Sequence, residues 1–135
     1  MAKGEKIRNL DAVFHPSSIA VVGASREPNK IGHVIVKNFV DGGFAGKVYP
    51  INPNADEILG LRAYRSVLAV KEKVDSAVIA VPAPAVAGAL EECGRKGVKG
   101  VVLITGGFSE VGNVVEERRI AAIAEKYDMA LIGPN

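Results

Sequence analysis

The six residues Ser76–Val81 read Ser-Ala-Val-Ile-Ala-Val. The run is far too short to cross a membrane and too unbroken to leave one side wet. A strand buried on both faces needs helices above and below it, and sheets of that kind are mostly parallel. Similar short runs stand at Ile19–Val22, Lys47–Ile51, Val101–Ile104 and Met129–Ile132, and helical patterns fill most of the gaps. The expectation is an α/β chain: a Rossmann-like, doubly wound, mostly parallel sheet in three αβα layers.

The spacing predicts a helix from near Lys30, with Ile31, Ile35 and Phe39 recurring every four residues and Val34, Val36 and Val40 widening the apolar face. Asp41-Gly42-Gly43 ends it. Leu61–Tyr64 reads as a short third strand, and Ser66 as the cap of a helix reaching about Glu72. After Pro82-Ala83-Pro84, the residues Val86, Ala89, Leu90 and Cys93 follow the spacing of one helix face. In the last helix, Asn113 and Glu116 have capping-box spacing, and Ile120, Ile123, Ala124 and Tyr127 share a face. Right-handed crossovers then give a strand order of 3-2-1-4-5, with the final strand beyond the fifth. The first and fourth strands become neighbours where the winding reverses, so the loops starting at Gly23 and Pro82 flank the expected ligand crevice.

Size and composition exclude several functions. The 135 residues suit one domain, with a charged, flexible lead at 1–9 and the folded unit from 10 to 135. Leu10–Phe14 is expected to form a short apolar turn or helical piece against the body. A net charge of +2 and the absence of tryptophan argue against a nucleic-acid surface. No apolar run has membrane-spanning length, and Met1–Leu10 does not resemble a signal peptide. The single cysteine excludes an internal disulfide and a multi-thiolate metal site, and the default compartment is a reducing cytoplasm. Cys93 reads as a small core residue. No metal site and no catalytic residue is predicted.

Ser18–Gly32 carries the strongest functional signal. A strand stops at Gly23, small and polar residues follow, and a helix opens at once. Such a unit puts free backbone N–H groups and a helix N-terminus at the carboxyl edge of the sheet, where a phosphate group can sit. The spacing departs from G-x-G-x-x-G, since the next glycine is Gly32. An NAD site also wants a carboxylate at the end of the second strand, and Asn52-Pro53-Asn54 offers none. That leaves room for a cofactor with a phosphorylated ribose, with Arg26 and Lys30 as mobile cations nearby. His15 falls at the amino edge, away from such a site. His33 lies inside the first turns of a helix, a poor place for a phosphoryl carrier. Ser25 and Ser109 have no His/Asp partners in view and read as loop hydrogen-bonding groups.

Five segments in this order resemble one family: Ser18–Ser25, Ile51-Asn52-Pro53, Val81-Pro82, Ile104–Phe108 and Gly133-Pro134-Asn135. Together they are similar to the N-terminal CoA-binding domain of NDP-forming acyl-CoA synthetases and to the corresponding domain of the succinyl-CoA synthetase alpha subunit. The resemblance implies that Gly23, Ala24 and Ser25 line a CoA phosphate loop, with Lys30, Ile31 and Gly32 at the helix start. It implies Asn52 and Pro53 beside the adenosine portion and Val81, Pro82 and Ala83 along the nucleotide and pantetheine arm. Thr105, Gly107 and Phe108 would face the arm, and the turn ending in Asn135 would lie near the reacting end.

Complete enzymes of that family join a free acid to CoA at the expense of a nucleoside triphosphate, through an acyl phosphate and a transient phosphohistidine. The phosphohistidine belongs to a following domain. The chain would then hold CoA while downstream ligase and nucleotide-grasp domains or subunits supply the catalysis of an acid–thiol ligase. Two alternatives stay open: a stand-alone CoA-binding protein, and an NAD(P)-dependent oxidoreductase or redox sensor on the same sheet.

Overall fold

The computed structural model describes residues 11–104 and 114–133. In chain order come β1 (Ser18–Val22), α1 (Ile31–Asp41), β2 (Lys47–Ile51), β3 (Glu57–Ile58), β4 (Leu61–Arg62), a 3₁₀ turn (Val67–Ala69), β5 (Ser76–Ile79), α2 (Ala83–Lys96), β6 (Gly100–Leu103), α3 (Val114–Lys126) and β7 (Ala130–Ile132). Five strands form a wholly parallel sheet in the order β2-β1-β5-β6-β7. The expected lead at 1–9 lies outside the described residues. Residues 11–14 are helical, as anticipated, but Phe14 is 65% exposed and does not pack on the body.

Period-two alternation sends side chains to both faces. Ala20, Tyr49, Ile51, Ala77, Ile79, Val101 and Leu103 join one core with Val86, Leu90 and Cys93 of α2 and Ile120 and Ala124 of α3. Val21 faces the other way and meets Val36 of α1. Helices therefore cover both faces, and the layers are αβα. The reason is topological: a right-handed crossover from β1 to β2 steps one way, and those from β5 to β6 to β7 step the other. β1 and β5 are paired neighbours at the reversal, as the sequence predicts.

Register sets up the functional edge. Val22 pairs with both Ile51 and Ile79, and Ile79 pairs with Leu103. Four strands thus end at one level, and their following loops leave the sheet side by side.

The third βα unit differs from expectation. Leu61–Arg62 does not extend the sheet; it folds back antiparallel on Glu57–Ile58. Leu59 and Gly60 connect them with φ of 51° and 80°. Two successive positive φ angles are what a type I′ hairpin loop requires. Ile58 from this hairpin, with Ala55 and Ala63, completes the core against Val21 and Val36. A parallel bridge, Ile51 with Tyr64, and the edge-on contact of the Tyr49 and Tyr64 rings tie the segment to β2. Tyr64 N donates to Pro50 O on that outer side. Pro50 has no N–H to offer there, so β2 is a blunted edge. Ser66 does cap, its Oγ accepting from Leu68 N at 3.1 Å, but the capped element is a single 3₁₀ turn rather than a helix to Glu72.

The helix faces are partly corrected as well. On α1 the buried residues are Gly32, His33 and Val36, with Ile35 and Phe39 half-buried, while Ile31, Val34 and Val40 are exposed. Small Gly32, not Ile31, faces inward, onto the loop after β1. On α2 the expected face holds: Val86, Leu90 and Cys93 are buried. That helix ends at Gly97 in the left-handed region, whose N–H reaches back to Cys93 O and Gly94 O. α3 crosses α2 where Gly94 lacks a side chain, because a Cβ there would sit 2.2 Å from the Tyr127 ring. The Tyr127 hydroxyl donates to Glu91 across that crossing. That bond holds the Glu91 carboxyl below its usual range, and Glu91 in turn raises Lys126. Asn113, the expected cap of α3, lies outside the described residues. Among the described residues, no helix is long and apolar enough to cross a membrane.

Candidate functional site

A cleft of about 640 Å³ opens where the four level strand ends meet the N-terminus of α1. Gly23, one residue past β1, has φ of 93°, and a Cβ there would stand 2.4 Å from Ala80 O. Both the left-handed turn and the close approach of two backbones demand glycine. Gly32 is equally constrained: its Cβ would lie 1.8 Å from Gly23 O. The first turn of α1 therefore rests directly on the loop after β1.

The Gly23 and Ala24 amides are not free, contrary to expectation. Both donate to Ile51 O at 3.2 Å, tying the end of β1 to the end of β2. Unsatisfied donors occur one step further on. Lys30 occupies the N-cap of α1 in extended conformation, without a side-chain cap, and the first turn holds no acidic residue. His33 N and Val34 N both donate to Lys30 O, at 3.1 and 3.2 Å, so the amides of Ile31 and Gly32 are the ones that keep their hydrogen-bonding capacity at the positive end of the helix dipole. α2 also starts at the cleft without a side-chain cap, behind Pro82.

The loop is braced from inside. Asn52 Nδ2 donates to Ala24 O at 2.8 Å, and Asn52 Oδ1 accepts from Asn54 N at 2.7 Å. Ser25 Oγ accepts from Glu27 N at 3.0 Å, which bears out its reading as a loop hydrogen-bonding group. His33 Nδ1 lies 2.9 Å from Ser25 O.

Ten of the sequence-predicted residues border the cleft: Gly23, Ala24, Ser25, Lys30, Ile31, Gly32, Asn52, Pro53, Val81 and Pro82, and Ile31 is the same exposed residue at the α1 start that fails to reach the core. Arg26 and Ala83 stand next to lining residues without bordering the cleft themselves. Thr105, Gly107, Phe108 and Asn135 lie outside the described residues, as does Ser109.

Sequence reading missed Arg65 and Glu92, which also border the cleft. Arg65 gets there because Asn52 N donates to Tyr64 O, drawing the returning segment to the end of β2. Glu92 projects from α2 and accepts from Ser66 Oγ at 2.8 Å. The Ile51–Tyr64 bridge and the Ser66–Glu92 hydrogen bond bring these groups together, and neither leaves a signature in the sequence.

The lining is mostly backbone and small apolar side chains, with Lys30 and Arg65 as cations and Glu92 as the one carboxylate among the described residues. The end of β2 carries amides, not an acid. Such a surface binds an anion and packs against an elongated organic ligand. Cys93 is remote from it: buried in the α2 core, its thiol is pushed up to about 12, by desolvation first and the Glu92 carboxylate second. Among the described residues, no group of three or more His, Cys, Asp or Glu could hold a metal ion.

Comparison with known proteins adds the following. The sequence profile described as a CoA binding domain matches residues 17–135. An ADP-forming acetate–CoA ligase of Methanocaldococcus jannaschii is 52% identical over 126 residues, covering 93% of this chain and 18% of the ligase. The alpha subunit of an ADP-forming acetate–CoA ligase I of Pyrococcus furiosus is 46% identical, over 94% of this chain and 29% of the subunit. The chain therefore spans less than a third of these curated relatives. Among solved structures, an acetyl-coenzyme A synthetase of Ca. Korarchaeum cryptofilum superposes with a TM-score of 0.91 at 52% identity, over 93% of this chain and 27% of that one. A conserved hypothetical protein of Pyrococcus furiosus superposes with a TM-score of 0.71 at 34% identity, and 94% of its length is covered.

Proposed function

Because this chain belongs to the CoA binding domain family, we propose that its cleft holds CoA for an ADP-forming acyl-CoA ligase of the acetate–CoA type. The observation that carries the reading is the uncapped start of α1, set against the Gly23 turn in a cleft whose β2 end bears no carboxylate. A diphosphate finds amide donors and a helix dipole there. Lys30 and Arg65 add positive charge for it or for a ribose phosphate. Gly23, Ala24, Ser25 and Gly32 supply backbone approach, Asn52 and Pro53 flank the adenosine, and Val81, Pro82 and Ala83 follow the arm. Arg26, Thr105, Gly107, Phe108 and Asn135 complete the proposed contact set.

The chain's part in the reaction is binding and orientation. Among the described residues, its cleft has no acid–base pair suited to proton transfer, and the ligase chemistry falls to downstream catalytic and nucleotide-grasp domains or subunits. The compartment proposed is the cytoplasm, which suits the free thiol of Cys93. The domain is taken as residues 10–135, after a short lead.

A second reading, a stand-alone CoA-binding protein, draws support from the Pyrococcus furiosus protein of matching length. Parallel calorimetric titrations of the 135-residue chain with CoA, dephospho-CoA, NAD and NADP test the binding common to both readings. Saturable CoA binding, with NAD inert, is expected. NAD binding without a CoA response would overturn it in favour of a nicotinamide-dependent protein. Continuation of the natural gene into a histidine-bearing ligase domain selects the ligase over the stand-alone form.

A further inference from the structure

Three consecutive carbonyls in the loop after β1 are each matched to a feature of the protein body. Gly23 O lies under Gly32, where any Cβ would collide with it. Ala24 O accepts from Asn52 Nδ2. Ser25 O faces His33 Nδ1 at 2.9 Å. His33 is only 8% exposed and does not border the cleft. A ring nitrogen that bonds a carbonyl must carry the proton, so the imidazole presents Nδ1–H there.

In a planar trans peptide the N–H points opposite to the C=O. Fixing the Ala24 and Ser25 carbonyls therefore fixes the Ser25 and Arg26 amides on the opposite sides of their peptide planes. Neither amide has a hydrogen-bond partner among the described residues. They lie between the committed amides of Gly23 and Ala24 and the open first turn of α1.

We propose that His33 is a positioning residue: its Nδ1–H holds the Ser25 carbonyl and so presents the Ser25 and Arg26 amides to a phosphate group of CoA. The inference rests on the reading of the cleft as a CoA site. Asn52 does the same for the preceding peptide but also borders the cleft, so its replacement would mix two effects. His33 does not border the cleft, which makes it the cleaner test.

Three variants of the 135-residue chain separate the roles. His33→Leu removes the donor, and CoA binding should weaken about tenfold, a change of ~1.4 kcal/mol. His33→Asn keeps an amide donor near the Nδ1 position and should recover most of that loss. His33→Gln, whose amide mimics the outer nitrogen, should not. Equal CoA affinity in His33→Leu and wild type, or no advantage of Asn over Leu, would overturn the proposal. Wild-type chain that takes no CoA would instead sink the reading of the cleft, and a second measurement still decides this one. In the ligand-free chain, nitrogen NMR should find the proton on Nδ1, and the Arg26 amide resonance should shift in His33→Leu and return in His33→Asn. A ring protonated on Nε2 alone would refute it.

Discussion

The two faces of the sheet are covered very differently. On one side, α2 and α3 bury Leu90, Cys93, Val86 and Ile120 against Ile79, Leu103 and Val101 in a deep aliphatic core. On the other, α1 offers Gly32 and Val36, a two-residue hairpin contributes Ile58, and Ile31, Val34 and Val40 stay exposed. Small residues on the thin side let backbone meet backbone: Gly32 on Gly23, and Gly23 on Ala80. Close approach of that kind is what a phosphate-sized ligand needs, and it leaves little apolar volume to bury. The thick side supplies most of the hydrophobic stabilisation, while the thin side is shaped by where main-chain dipoles must point.

Paired substitutions, one removing a side chain and one adding a Cβ, would break this division if it is wrong. Leu90→Ala removes a fully buried side chain from the thick core and should cost about 2–5 kcal/mol of stability. The fraction that remains folded should bind CoA as wild type does, by denaturant titration and calorimetry on one sample. Gly32→Ala forces a Cβ into the Gly23 carbonyl, and its stability cost should be smaller, roughly 1–3 kcal/mol. CoA affinity should nevertheless fall tenfold or more, because α1 must move off the loop. Comparable losses of binding in both variants would erase the distinction between the faces.

How much of this was legible in the sequence follows from the same contrast. Ile19–Val22 and Ser76–Val81 announce themselves because both of their faces are covered, and no other environment tolerates so continuous a run. The glycine turn after β1 was readable for the same local reason. The thin face was not. Six apolar residues spread around α1 define a stripe too broad to reveal that Gly32 and Val36 face inward. Leu61–Arg62 has the composition of a sheet strand, and only the positive φ of Leu59 and Gly60 turns it into a hairpin arm. Arg65 then reaches the cleft through a backbone bridge, which is invisible to side-chain patterning. The expectation that the Gly23 and Ala24 amides stay open failed similarly, since the Ile51 carbonyl that takes them comes from another strand.

Charge sharpens the comparison with smaller effects. Lys30 and Arg65 border the cleft and are exposed, so Lys30→Ala and Arg65→Ala should each weaken CoA about two- to fivefold, the ~0.5–1 kcal/mol of an exposed charge contact. Those losses should shrink as salt is raised. Lys126→Ala, beside Glu91 on the far side of the thick layer, should leave CoA affinity unchanged at every ionic strength. A salt-independent loss at Lys30 and Arg65 would mean that they shape the cleft rather than attract the ligand.

At neutral pH the smallest effect belongs to Cys93, and it grows only in alkali. Burial in the thick core raises its thiol from 9.0 to about 12, because the thiolate would lose its hydration there and sit near Glu92. The folded state therefore keeps its proton where the unfolded chain releases it, and linkage fixes the sign. This contribution to stability is complete below about pH 9 and is lost progressively as pH climbs toward about 12. Tyr49, also raised by burial and by Glu72, acts in the same direction, so the thiol must be isolated by difference. Urea midpoints at pH 8 and pH 10.5 should drop further for wild type than for Cys93→Ala. Native chain should resist thiol alkylation at pH 8, and label rapidly once unfolded. A thiol that labels in the native state would show water reaching the α2 layer, and the thick face would then be no drier than the one that holds the cleft.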